Sequence, residues 1–148
     1  MIVREAKLSD IPTLLDFQLK MALETEDVQL EIQPLTQGMQ RLFRDPTKGK
    51  YYVAEENDEV VGCLMTTFEW SEWRCGTILW IQSVYVAAPH RKQGVFKLLY
   101  QHIHQLVSDD PELKGIRLYV DKTNDGAKRV YTELGMDGEH YSVFEWMK

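Results

Sequence analysis

Apolar residues recur at helical spacing in four segments of the chain, which predicts four amphipathic helices. The first begins near Ser9, where a small polar residue, an acid and a proline follow in the order typical of a helix start. The second covers Gln33 to Phe43 and ends before Pro46, because the residue preceding a proline resists helical geometry. The third and fourth run from Gln93 to about Val107 and from Asp125 to Leu134.

Runs rich in β-branched and aromatic residues alternate with these helices and predict strands. The predicted strands are Ile2 to Glu5, Tyr51 to Glu55, Val60 to Phe68, Thr77 to Val86, Ile116 to Val120 and Tyr141 to Trp146. The second to fourth strands form an antiparallel meander with a longer loop at Trp70 to Gly76, and the later strand, helix, strand order implies parallel neighbours. We expect an α/β (α+β) fold in a single domain over residues 1–148, with a mixed sheet of six to seven strands and helices on both faces.

The composition excludes several classes of protein. Its 148 residues, with 44% hydrophobic and 27% charged positions, suit one globular domain with a core of its own. No apolar run approaches the roughly 20 residues of a membrane span, and the first residues lack the layout of a secretory signal. Cys63 and Cys75 could form one bridge, but reduced thiols in a cytoplasmic protein are the interpretation we favour.

Charge limits the expected partners. The net charge of −6 argues against a nucleic-acid-binding protein, which needs a basic face, and it suits a cationic partner better. His102 and His104 lie two residues apart on a predicted helix, so they face different directions and cannot share a metal ion. We expect no metal, no nucleic acid and no membrane among the partners.

The strongest chemical signal is a basic turn between a strand and a helix. The strand ends at Val86, and Arg91-Lys92-Gln93-Gly94 follows where the third helix begins. The first N–H groups of a helix lack internal partners and favour anions, so this turn is suited to phosphate. On these residues alone, a solvated basic cap without a ligand explains the turn equally well.

The order of motifs is more specific. Arg91-Lys92-Gln93-Gly94-Val95-Phe96 resembles the A motif of the GNAT superfamily of N-acetyltransferases, Gln/Arg-x-x-Gly-x-Gly/Ala, with Phe96 in place of the last small residue. The segment Asn124 to Met136 resembles the family's B motif, Asn-x-x-Ala-x-x-x-Tyr-x-x-x-Gly-Phe, with Met136 in place of the aromatic residue. The resemblance covers nearly the whole chain.

This resemblance implies an acetyl-CoA site where the fourth and fifth strands splay apart. The cofactor-binding residues that it implies are Val84, Tyr85, Val86, Arg91, Lys92, Gln93, Gly94, Val95, Phe96, Lys97, Asn124, Lys128 and Tyr131. Tyr131 occupies the family's general-acid position, although a core aromatic is its alternative interpretation. Gln82 occupies the strand position at which many relatives carry a carboxylate or polar group, and a glutamine cannot accept a proton. Our hypothesis for the base is a water chain that starts at Gln82 or Ser83 and ends on Glu69, Glu72 or Glu24.

The acceptor is expected between the first helices and the loop after the third strand. Acids and aromatic rings suit an organic cation, and the candidate acceptor-binding residues are Glu24, Glu26, Glu69, Trp70 and Trp73. The alternative for these residues is a solvated acidic face with tryptophans in the core or in a dimer contact. We expect transfer of an acetyl group from acetyl-CoA to a primary amine of a small cationic acceptor, in a cytoplasmic protein that could form a homodimer. A catalytically silent CoA-binding sensor and a structural module without a CoA site are the other hypotheses.

Overall fold

The computed structural model describes all 148 residues, in two compact units, Met1–Arg117 and Leu118–Lys148. The first unit contains the whole sheet and three helices. The second contains one helix and a C-terminal segment without regular secondary structure. The assignment of residues 1–148 to a single domain stays a prediction.

The elements follow one another in the order expected for a mixed α/β fold. The strands are β1 (Ile2–Glu5), β2 (Lys50–Glu56), β3 (Glu59–Ser71), β4 (Gly76–Val86) and β5 (Leu113–Arg117). The helices are α1 (Ile11–Glu26), α2 (Ile32–Arg44), α3 (Val95–Asp109) and α4 (Asp125–Glu133). Short 3-10 turns occupy Leu8–Asp10 and Ala88–His90. The predicted fold class is confirmed, and none of the helices has the length and apolar character that a membrane span needs.

The sheet has the strand order β1-β2-β3-β4-β5. Neighbouring strands are antiparallel except β4 and β5, which run parallel and are joined through α3. Parallel neighbours need a crossover of this kind, so the predicted βαβ unit is present. Its last strand begins and ends three residues earlier than the predicted Ile116 to Val120.

The two faces of the sheet pack against different helices. One face and the helices α1 and α2 form a buried cluster of Leu14, Phe17, Met39, Tyr51, Val53, Cys63 and Tyr85. On the other face α3 buries Val95, Leu99 and Ile103, and the rings of Tyr52 and His102 lie 5.4 Å apart. Because side chains of a strand alternate between faces, Tyr51 and Tyr52 contribute to opposite layers. The prediction of helices on both faces therefore holds for the first unit.

Gly62 of β3 lies where α3 comes close to the sheet. A Cβ atom at this position would lie 2.8 Å from Cγ1 of Val95, the first residue of α3, and 3.2 Å from the carbonyl oxygen of Tyr85. Only a residue without a side chain therefore lets the start of α3 approach the sheet this closely.

A buried carboxylate holds the entry to α1. Asp10 accepts hydrogen bonds from the Arg4 guanidinium at 2.8 and 3.1 Å and from the Lys7 N–H at 2.7 Å. The hydrogen bonds from Arg4 lower the pKa of Asp10 below its usual range. The acid predicted at this helix start is thus also an anchor between α1 and the first strand.

Two predicted features differ from the structure. The sheet has five strands where six to seven were expected, because Tyr141 to Trp146 forms no strand. Alternation of side chains indicates an extended chain, but a strand exists only where a neighbour supplies backbone partners. The predicted loop at Trp70 to Gly76 is also shorter, since Ser71 pairs with Gly76 and only four residues form the turn.

Candidate active site

An opening in the sheet lies along the second half of β4. β4 pairs with β5 only from Thr77 to Trp80, and β5 ends at Arg117. The segment from Ile81 to Val86 therefore has no neighbouring strand on that side. Backbone N–H and C=O groups on such an edge can pair with an extended ligand as an added strand would. Val84, Tyr85 and Val86, which were expected to bind acetyl-CoA, lie along this opening.

A β-bulge marks the same stretch of β4. Cys63 faces Tyr85 and Met65 faces Gln82, so β4 has one residue more than β3 between these pairs. Ser83 adopts a φ of 54°, in the left-handed region, at this extra residue. Bulges increase the local twist of a strand and are frequent next to active sites. The bulge bends β4 where its pairing with β5 has ended, and no residue pattern in the sequence indicated it.

The turn after β4 presents unpaired backbone donors. Lys92 and Gly94 have φ values of 62° and 79°, and α3 begins directly after them. The N–H groups that donate no hydrogen bond within the protein include those of Lys92, Gln93, Gly94, Val95 and Lys97. Clustered donors at the positive end of a helix, with two exposed lysines, suit a pyrophosphate. The residues present therefore fit the phosphate portion of CoA.

Phe96 is compatible with this turn. Its ring is half-buried and lies against Tyr100, with the two centroids 6.2 Å apart. The large side chain thus packs along α3, and its backbone N–H stays in the first turn of the helix. The departure from the family's small residue does not fill the turn.

Arg91 makes contacts on the α1 side of the sheet. Its Nη2 lies 2.6 Å from Glu24 Oε2, and its Nε donates to the carbonyl oxygen of Val86 at 2.9 Å. The guanidinium also lies over the Tyr85 ring, 5.3 Å from the centroid, and the Tyr85 hydroxyl donates to Glu24 Oε1 at 3.1 Å. The hydrogen bond from Arg91 lowers the pKa of Glu24, with desolvation opposing it. Glu24 is therefore an anion and a weak base.

Gln82 lies on β4 beside the bulge, and the side-chain amide of Gln18 on α1 contacts the bulge at Ser83. Gln82 is half-buried and makes no side-chain hydrogen bond within the protein. The buried Gln18 amide donates to the Ser83 carbonyl oxygen at 3.5 Å, and the Cys63 thiol lies 3.6 Å from that oxygen. Burial raises the pKa of this thiol to about 12, so it does not accept a proton as a thiolate. No direct base is found here.

The aromatic and acidic residues at the end of β3 and in the turn that follows it do not form one pocket. Glu69 accepts from Trp80 Nε1 at 2.7 Å and from Arg117 Nη1 at 2.8 Å, and these two hydrogen bonds lower its pKa. Trp70 follows it on the strand and therefore faces the opposite side of the sheet, 63% exposed. Trp73 is 90% exposed in the turn. The structure does not bring these candidates together, and Glu26 lies exposed at the end of α1.

The sequence profile of the acetyltransferase (GNAT) family matches residues 17–136, and this range includes β4, the turn and α3. The chain belongs to this family. A crystal structure of "a possible acetyltransferase" from Clostridium difficile 630 is 41% identical, with a TM-score of 0.92, over 99% of this chain and 97% of that one. No curated protein matches the sequence.

More distant structures share the GNAT fold. A transcriptional regulator from Bacillus halodurans C-125 is 21% identical over 99% of both chains, with a TM-score of 0.83. An aminoglycoside acetyltransferase from a soil metagenomic sample, in complex with sisomicin, is 16% identical over 99% of this chain and 95% of that one, with a TM-score of 0.79. At these identities the likeness shows the fold alone, because function depends on the residues of the site.

The B-motif residues of this GNAT acetyltransferase lie in the second unit, on and before α4. Asn124 caps the helix, since its Oδ1 accepts from the Ala127 N–H at 3.0 Å, and Lys128 Nζ donates to the Lys122 carbonyl oxygen. Tyr131 is half-buried, and burial raises the pKa of its phenol. A phenol of this kind stays protonated at neutral pH and can donate a proton.

Proposed function

We propose that this GNAT acetyltransferase transfers an acetyl group from acetyl-CoA to a primary amine of a small cationic acceptor. The observation that carries the proposal is the continuity of two ligand-binding features. The unpaired edge of β4 leads directly into the turn whose N–H groups lack partners. One suits an extended amide-containing arm and the other a pyrophosphate, which are the two parts of CoA that precede the thioester.

Each part of the site has a separate task in this proposal. The backbone from Val84 to Val86 holds the pantetheine arm, and the turn from Arg91 to Lys97 holds the phosphates, assisted by Asn124 and Lys128. The acceptor amine attacks the thioester carbonyl, a C–N bond forms, and the C–S bond breaks. Tyr131, whose phenol is protonated at neutral pH, donates its proton to the departing thiolate and regains a proton from solvent.

The proton of the attacking amine needs another route. Glu24 and Glu69 both have lowered pKa values, because hydrogen bonds from Arg91 to Glu24, and from Trp80 and Arg117 to Glu69, stabilise their charged forms. They are poor proton acceptors, and Gln82 cannot act as a base. We propose that the amine enters uncharged and loses its proton to water near Gln82 and Ser83.

The lack of a carboxylate base also favours the second hypothesis, a CoA-binding sensor without turnover. Incubation with acetyl-CoA, an amine panel and a thiol reagent separates the two. The exposed Cys75 would itself react with the reagent, so the assay uses a Cys75→Ser variant. Amine-dependent release of CoA supports the enzyme. CoA binding in calorimetry without thiol release for any amine supports the sensor, and absence of CoA binding excludes both.

A further inference from the structure

Three groups surround the guanidinium of Arg91 in an arrangement that suits an organic cation. Glu24 Oε2 lies 2.6 Å from Nη2, the Val86 carbonyl oxygen accepts from Nε at 2.9 Å, and the Tyr85 ring centroid lies 5.3 Å from Cζ. A carboxylate, a carbonyl and an aromatic face are the groups that recognise ammonium and guanidinium ions. Arg91 is therefore the internal occupant of a cation site.

The anion of this site is held in position without Arg91. The Tyr85 hydroxyl donates to Glu24 Oε1 at 3.1 Å, which leaves Oε2 for the cation. Lys20, one turn earlier on α1, has its ammonium 2.7 Å from Asp16 Oδ2. Glu24 also lies in the last turn of α1, where the helix dipole adds negative potential. The site thus attracts a cation even when the arginine is elsewhere.

Arg91 is held only weakly in this site. Its side chain is 44% exposed and that of Glu24 is 41% exposed, so water competes for the pair. An exposed ion pair of this kind favours the paired over the separated side chains by a factor of about 1.4 to 5. Arg91 is also the first residue of the turn that precedes α3, whose free N–H groups suit a pyrophosphate. One arginine thus lies between two sites of opposite charge.

We propose that Glu24, the Tyr85 ring and the Val86 carbonyl form the acceptor's cation subsite, which Arg91 fills until a pyrophosphate at the turn draws it away. The acceptor is then an amine that carries a second positive charge, and that second charge replaces Arg91. Binding of CoA opens the subsite, so CoA and acceptor bind with positive coupling. This inference rests on the proposed acetyl-CoA site.

The first test measures binding by isothermal titration calorimetry, without turnover. Glu24→Gln removes the anion that competes for Arg91, so CoA should bind about 1.4 to 5 times more tightly than to the wild type. Glu31→Gln, which removes one exposed acid before α2, should leave the CoA affinity unchanged. Pantetheine lacks the pyrophosphate and should bind both variants and the wild type equally. In an Arg91→Met background, Glu24→Gln should have no effect.

Three outcomes of this experiment overturn the exchange of Arg91. Two of them are an unchanged or weaker CoA affinity in Glu24→Gln and an equal gain for pantetheine. If the wild type binds no CoA, the proposed function is wrong, and the inference that rests on it is wrong as well. A gain in Glu24→Gln that persists in the Arg91→Met background also overturns the exchange, because the effect then comes from general electrostatics.

The second test measures acceptor binding to the CoA complex with diamines of two to six carbons and the matching monoamines. At least one diamine should bind about 1.4 to 5 times more tightly than its monoamine, the range for an ion pair at a carboxylate as exposed as that of Glu24. Glu24→Gln should abolish this preference, and Glu31→Gln should retain it. A wild type without preference for any diamine overturns the subsite, whereas turnover of monoamines would leave the proposed function standing.

Discussion

Substitution of Gly62 by alanine should displace the start of α3 and weaken CoA binding. The new Cβ would lie 2.8 Å from Val95 Cγ1, whereas carbon atoms pack at about 3.5–4.0 Å. Val95 is 2% exposed, and a valine in a helix strongly prefers one χ1 rotamer, so turning its side chain aside is unfavourable. The first turn of α3 must therefore move by about 0.7–1.2 Å, the difference between these separations.

The expected magnitude follows from two opposing effects. Overpacking of a filled core costs about 1–3 kcal/mol, and replacing a glycine stabilises by about 0.4–1 kcal/mol through the unfolded chain. The net loss of about 1–2 kcal/mol should lower Tm by about 2–8 °C for a chain of this size. CoA affinity should fall by about 3- to 10-fold, since displaced N–H donors lose their alignment with the phosphates.

Thermal unfolding and calorimetric titration with CoA measure the two effects on the same samples. Gly38→Ala is the matched control, because Gly38 lies inside α2 and a Cβ there meets no atom within 4 Å. It should raise stability by about 0.5–1 kcal/mol and leave CoA affinity unchanged. A Gly62→Ala protein with wild-type Tm and wild-type CoA affinity would refute the close-approach argument.

Three further predictions concern the acid, the turn and the entry to α1, and a fourth concerns the thiols. Tyr131→Phe should lower turnover at least about tenfold with little change in CoA affinity, and steady-state kinetics that match the wild type would remove it as the acid. Gly94→Glu should abolish calorimetric CoA binding, because it strains a φ of 79° and puts a carboxylate beside the phosphates. Asp10→Asn should cost about 2–4 kcal/mol in urea unfolding at neutral pH. The pKa of Asp10 is lower in the folded protein than in the unfolded chain. The loss of unfolding free energy in Asp10→Asn should therefore have its full size at pH values above the ordinary pKa of about 3.9, and it should disappear as the pH falls through the lowered pKa of the folded protein. Native protein should react with a thiol reagent only at the exposed Cys75, since Cys63 is 0% exposed; mass spectrometry that finds both labelled contradicts the packing.

Much of the architecture was accessible from local patterns. Helical periodicity predicted α1 to α4 within a few residues, because apolar residues at helical spacing are a local feature of each segment. Strand pairing was less accessible, since it depends on partners distant in sequence. The segment from Tyr141 to Trp146 has the composition of a strand and yet forms none, and β3 continues through Trp70 because β4 pairs with it.

For the site, the sequence alone determined the turn from Arg91 to Phe96 and the family motifs, because a helix start and its glycine are local features. Only the tertiary structure decided what surrounds Arg91. Glu24 lies 67 positions away in the chain, and no local pattern indicates that the two side chains meet. The bulge at Ser83 and the opening beside β4 are likewise products of strand register. Local propensity places a residue on an element, whereas the contact that gives it a task arises only when distant elements pack.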